Sequence, residues 1–202
     1  MSEDGRFDGR TAIVTGGGGG IGTEISVRLA REGANVVVAQ RSRAPSEAVV
    51  ERIEELGGDA AFVQTDLSDD DAIVALVEAT VEEFGGVEIL VNTATHTAKE
   101  YASEMSRELW DEILAVTLTA PFRLAQECYP HMQEAGYGRV VNVGAIQAHS
   151  PMAGSVAYAT AKAGMEGLVR ALAVEWGDDR ESDITANVVH SGPVRSSRPP
   201  DP

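Results

Sequence analysis

Tyr158 and Lys162 stand four residues apart in Tyr158-Ala159-Thr160-Ala161-Lys162. In a helix, positions i and i+4 share one face. A phenol beside an ammonium group is drawn toward its ionised form, so its pKa falls from about 10 toward neutrality. A phenol tuned in this way gives or takes a proton at physiological pH. Lys162 and Lys99 are the only lysines in a chain that otherwise carries its positive charge on Arg. The plainer alternative is an ordinary helix with a half-buried Tyr and a solvated Lys. The surrounding elements decide between the two.

A second group with chemical potential is Thr15-Gly16-Gly17-Gly18-Gly19-Gly20-Ile21-Gly22. It follows a short apolar run and opens a helical pattern. Glycines at such a junction let the backbone turn tightly and approach a pyrophosphate. The first helical turn then offers free N–H groups and positive potential to the phosphates. Gly16, Gly20, Ile21 and Gly22 are therefore candidate binding residues. The end of the second apolar run, Gln40-Arg41-Ser42-Arg43, carries no acid to hold the ribose hydroxyls of NAD. Arg41 and Arg43 could pair with a 2′-phosphate and Ser42 could donate to it, which favours NADP(H) over NAD(H).

These groups need a scaffold, and the apolar pattern supplies one. Thr11 to Val14, Asn35 to Ala39, Ala60 to Gln64, Val87 to Val91, Arg139 to Val143 and Ile184 to Val189 read as buried strands. Helical patterns run from Ile21 to Arg31, Ser46 to Leu56, Ser68 to Phe84, Ser106 to Glu134 and Ser155 to Trp176. Ser68 is the expected N-cap of the third, with Asp69, Asp70 and Asp71 in the first turn, where the helix dipole favours anions. Pro121 and Pro130 are expected kinks or joints in the long fourth stretch. Continuous apolar strands alternating with helices predict a doubly wound parallel α/β sheet. One domain is expected over residues 1–196, followed by a frayed tail over 197–202.

Composition narrows the function classes. The 202 residues suffice for one full core, and 43% hydrophobic with 24% charged residues reads as a soluble globular protein. The net charge of −16 repels nucleic acid and anionic lipid. With Lys so scarce, this balance fits a salt-rich cytoplasm, where self-repulsion is screened; an acidic protein of ordinary habitat is the alternative. No apolar run reaches membrane-span length, and the acidic start lacks a secretion signal. The single Cys128 sits in an apolar helix and is expected in the core. Trp110 and Trp176 are expected packing residues. His96, His131, His149 and His190 show no ligand spacing with Cys or a second His, so no metal site is expected.

Taken together, the residues from Thr11 to about Ser196 resemble the short-chain dehydrogenase/reductase family. Its Thr-Gly-x-x-x-Gly-x-Gly loop matches Thr15, Gly16, Gly20 and Gly22, and its Tyr-x-x-x-Lys pair matches Tyr158 and Lys162. The adenine-contacting Asp after the third strand matches Asp66, followed by Leu67. The resemblance implies a Rossmann fold and hydride transfer between a nicotinamide and a carbonyl or secondary alcohol. It implies that Lys162 also holds the nicotinamide ribose, and it adds Asn92 and Val194 to the cofactor-binding residues. It further implies a homo-oligomer built on the two long helices, or pairing of this chain with an active relative. The nearest types are the 3-oxoacyl-carrier-protein reductases and the sugar and alcohol dehydrogenases.

The chain departs from the family pattern in four respects. Asn92-Thr93-Ala94-Thr95 lacks the final Gly of the family's Asn-x-Ala-Gly, and the family's helix Asn falls at Thr117. The catalytic Ser, thirteen residues before the Tyr in the family, is Ala145 here. Loss of one such donor costs about two to three orders of magnitude in rate. Ser150, His149 and Ser155 lie near enough in sequence to be weighed as substitutes, though surface or cap roles suit them better. The usual Pro-Gly turn reads Ser191-Gly192-Pro193-Val194, Ser196 replaces the nicotinamide-contacting Thr, and the usual seventh strand is missing. Two readings follow: an oxidoreductase working through Tyr158 and Lys162, or a non-catalytic NADP(H)-binding subunit.

Overall fold

A computed structural model describes residues 5–177, 182–192 and 194. The expected tail over 197–202 and Ser196 lie outside these. Strands β1 (Thr11–Thr15), β2 (Asn35–Gln40), β3 (Ala60–Gln64), β4 (Ile89–Asn92), β5 (Tyr137–Ala145) and β6 (Asp183–Ser191) form one parallel sheet in the order β3-β2-β1-β4-β5-β6. Helices α1 (Gly20–Arg31), α2 (Arg43–Glu55), α3 (Asp70–Phe84), α4 (Arg107–Leu114), α5 (Ala120–Glu134) and α6 (Val156–Gly177) connect them. This is the doubly wound α/β fold that the pattern predicts. The strand order reverses beside β1, which opens a crevice at the carboxyl ends of the strands.

Alternate residues of each strand serve opposite faces. Ile13, Val37, Leu90 and Val140 pack with Leu76 of α3, Leu124 of α5 and Leu172 of α6. Ala12, Val14, Val36, Val38 and Val91 pack with Val27 of α1 and with Val49 and Ile53 of α2. Cys128 is fully buried in the first of these layers, where burial raises its thiol pKa, and Trp176 stacks on Tyr129 with ring centroids 4.5 Å apart. On the α1/α2 face the cover thins toward the sheet edge, and Val189 of β6 is 57% exposed.

Two expectations are corrected. Ser68 does not cap α3. Its N–H and hydroxyl both bond Asp66 Oδ1, at 3.0 and 2.7 Å, and Asp69 caps the helix by accepting from Asp71 N–H. The stretch from Ser106 to Glu134 has its expected joint at Pro121, but Pro130 forms none. Ser106 caps α4, whose end passes into a π-helical turn over Ala115–Thr119, and α5 continues through Pro130. Pro121 offers no N–H and its ring crowds the carbonyl four residues back, that of Thr117, so the turn before it widens. Such bulges often present functional residues, and this one carries Thr117.

Candidate active site

The glycine-rich turn leaves β1 at Thr15 and enters α1 at Gly20. Gly16 and Gly20 adopt positive φ, 66° and 47°, which suits glycine alone. At Gly22 a Cβ would lie 2.3 Å from the carbonyl oxygen of Gly16, so any side chain there would force the turn open. Gly19 and Gly20, by contrast, have nothing within 4 Å of a built Cβ and face open space. The first turn of α1 receives no side-chain cap, and of its N–H groups that of Gly22 donates to the Gly19 carbonyl at 2.9 Å. The turn is braced from β2, where Gln40 Oε1 accepts from Gly18 N–H at 3.1 Å. This small-walled, donor-rich cradle fits a dinucleotide pyrophosphate.

A cleft of about 850 Å³ runs past the cradle along the carboxyl ends of the strands. Its walls include Gly16, Gly20, Ile21, Gly22, Arg41, Ser42, Asp66 and Leu67, so eight of the expected residues meet in one place. Arg41 and Ser42 are exposed at its outer end. Arg43 starts α2, where it pairs with Glu47 at 2.9 Å and lies over the Phe62 ring. Asp66 is held below the usual carboxylate range by the backbone N–H and hydroxyl of Ser68, with a smaller contribution from Arg41.

The other end of the cleft is lined by Thr93, Ala94, Thr95, His96, Val116 and Val143. Lys162 lies directly behind it, 2% exposed, with Nζ donating to the Val143 carbonyl at 2.6 Å. Burial lowers its pKa to about 8. Thr95 lies beside the Tyr158 phenol and favours its ionised form, and Lys162 Nζ stands 5.7 Å from the phenol ring centroid. The expected lowering of the phenol pKa is reversed here. Desolvation raises it, and the Thr95 hydroxyl only partly opposes the rise. The ammonium is spent on the Val143 carbonyl, so burial dominates over its charge.

Ala145 is 7% exposed and presents no hydroxyl. The candidate substitutes do not fill its place: Ser155 turns its hydroxyl back to the Met152 backbone, and Ser150 and His149 are exposed. Thr95 stands beside Tyr158 instead, and it pairs with Thr117. Their hydroxyls are 3.3 Å apart, and Thr117 Oγ1 also accepts from His96 N–H at 3.1 Å. Thr117 is fully buried on the π turn. Spacing alone could not show this pair, because the side chain at 95 reads as an obstruction until its hydroxyl is seen at the phenol. Asn92 is turned inward, donating to Asn142 Oδ1 at 2.8 Å, and is 2% exposed. Val194 is 58% exposed and is not part of the cleft wall.

The family model for short chain dehydrogenases matches residues 10–199. The chain belongs to the short-chain dehydrogenase family. It is 35% identical over 186 residues to the short-chain dehydrogenase/reductase FrzI of Cladobotryum, covering 92% of this chain and 70% of that one. To the versicolorin reductase stcU of Emericella nidulans it is 33% identical over 201 residues, covering 96% and 73%. Among solved structures, a metagenomic short-chain oxidoreductase in complex with NADP superposes with a TM-score of 0.87 at 33% identity, over 94% of this chain and 85% of that one. A dehydrogenase/reductase from Sinorhizobium meliloti 1021 gives 0.87 at 36% identity, over 94% and 74%. These relatives are dehydrogenases and reductases, and this short-chain dehydrogenase is an oxidoreductase. The non-catalytic reading finds no support among them. No helix among the described residues is long and apolar enough to cross a membrane.

Proposed function

We propose that the chain is an NADP(H)-dependent oxidoreductase interconverting a small-molecule carbonyl and its secondary alcohol in the cytoplasm. One observation carries the reading: a single cleft joins the glycine cradle to Thr95, which lies beside Tyr158. Gly16, Gly20, Ile21 and Gly22 take the pyrophosphate, and Asp66 and Leu67 flank the adenine. Arg41 and Ser42 take the 2′-phosphate. Lys162 lies behind the cleft floor, within reach of a ribose. Asn92 acts from beneath, fixing β4 against β5, and Val194 follows the strand that borders the substrate side. When bound, the cofactor supplies or accepts hydride at the substrate carbon.

Tyr158 gives its phenolic proton to the carbonyl oxygen in reduction and takes it from the alcohol in oxidation. Thr95 and Thr117 orient that phenol and carry a proton path toward His96. With Ala145 in place of a hydroxyl donor, the substrate oxygen relies on Tyr158 alone. A homo-oligomer through α5 and α6 is consistent with exposed Phe122 and Val174 on those helices.

Fluorescence titration with NADPH and NADH tests the cofactor half of the reading. NADPH should bind more tightly, and Arg41→Ala should weaken NADPH by about 10–100-fold, the worth of a charge-assisted hydrogen bond, while leaving NADH unchanged. Equal affinities in the wild type would reject the NADP(H) preference.

A further inference from the structure

Outside the cleft, three side chains from separate elements converge. His149 follows the short 3₁₀ turn after β5, Glu166 lies on α6 one turn beyond Lys162, and His190 lies on β6. His149 Nε2 is 3.0 Å and His190 Nε2 3.2 Å from the same oxygen, Glu166 Oε1, and the three ligand atoms lie within 4.8 Å of one another. That oxygen is shielded from solvent yet has no hydrogen-bond partner. Glu166 Oε2 faces Arg170 at 3.5 Å.

The geometry points to a divalent transition-metal site, most suited to Zn²⁺, formed by His149, Glu166 and His190. The lone pairs explain why. His190 Nδ1 lies 3.0 Å from the Ala145 carbonyl oxygen, which can only accept, so Nδ1 carries the proton. His190 Nε2 then faces a carboxylate oxygen that His149 Nε2 also faces, and a shared oxygen between two imidazoles is a position that a proton or a metal ion fills. An imidazole donating from one nitrogen to a backbone carbonyl while the other faces a carboxylate is the usual posture of a metal ligand. Zinc holds such N and O donors at about 2.0–2.2 Å, which puts neighbouring ligands about 3.4 Å apart, close to the two separations found here. The backbone makes room for the His190 ring: a Cβ at Gly144 would lie 2.6 Å from its Nδ1. Two imidazoles and one carboxylate suit Zn²⁺ over Mg²⁺ or Ca²⁺, and water would complete the shell. The ion would tie β6 to α6 and to the segment after Ala145.

The test is calorimetric titration of chelator-stripped protein with Zn²⁺ alone at pH 7.5, with Co²⁺ absorption as a second reading. One ion per chain is expected, with a Co²⁺ ligand-field band that Zn²⁺ displaces. Glu166→Gln and His190→Gln, each checked for folding by circular dichroism, should weaken binding by more than the roughly 10–100-fold that loss of a mere outer partner costs. Absence of stoichiometric binding in the wild type overturns the site whatever the variants do. Binding that persists in the folded variants overturns it as well, since the ion then sits elsewhere.

Discussion

The two halves of the sheet have been treated differently. From β1 to β3 the glycine turn, the Gln40 brace and the Arg41–Ser42 end keep an ordinary nucleotide cradle, with both faces of the strands covered. From β4 to β6 the site offers different chemistry: Ala145 presents no hydroxyl, while Thr95, beside Tyr158, has its hydroxyl 3.3 Å from that of Thr117. Nucleotide binding is constrained by backbone approach, which tolerates no Cβ. Proton handling is constrained only by a hydroxyl in the right place, which more than one chain position can supply.

The most severe way to break the first half is Gly22→Ala. Its Cβ would meet the Gly16 carbonyl at 2.3 Å, a backbone atom that cannot swing aside. Dinucleotide binding should be abolished in the fluorescence titration, whereas Gly19→Ala, with open space around it, should retain it. Equal binding by both variants would mean that the turn is not the cradle.

The second half can be sharpened by repair. Ala145→Ser should raise kcat toward the about 100-fold that one oxyanion donor is worth, with little change in NADPH affinity. In the wild-type background Thr95→Val should lower kcat about tenfold, the lower end of what general acid–base assistance contributes, because the phenol loses its partner. Should Thr95→Val leave kcat untouched, the threonine contact is only packing.

The smallest effect is a pH dependence at Lys162. Its folded pKa, about 8, lies below the ordinary Lys value of 10.5. Raising the pH through about 8 therefore removes the ammonium from the folded protein, and cofactor affinity should decline above that point. Between about 8 and 10.5 the unfolded chain holds the extra proton, so this group's contribution to stability rises with pH across that window. Lys162→Met should remove both trends; their persistence would assign them to another group.

The fold was legible because each buried strand is a continuous apolar run closed by Gly or polar residues, and because the Gly-rich turn sits between a strand and a helix. Helix boundaries were less so. Ser68 looks like a cap but is drawn to Asp66, a competition between two acceptors that sequence does not rank. The break before Pro121 depends on how one carbonyl escapes a proline ring. In the site, the glycines and Arg41–Ser42 were readable from local spacing. The Tyr158 environment was not, since it combines residues 95, 117 and 158 with a burial that no pattern reports. The His149–Glu166–His190 cluster was hidden for the same reason: its members lie on three elements and show no local motif.

Phosphate capture by the glycine turn and proton transfer at Tyr158 are proposed to reside in separate halves of this molecule. Tyr158→Phe, assayed for NADPH affinity and for turnover on an aldehyde and ketone panel, tests that separation most directly. Wild-type NADPH affinity within about twofold is expected, with a turnover loss of at least about 100-fold, the scale of general acid catalysis. Unchanged turnover, or a loss that merely follows weakened NADPH binding, would contradict it.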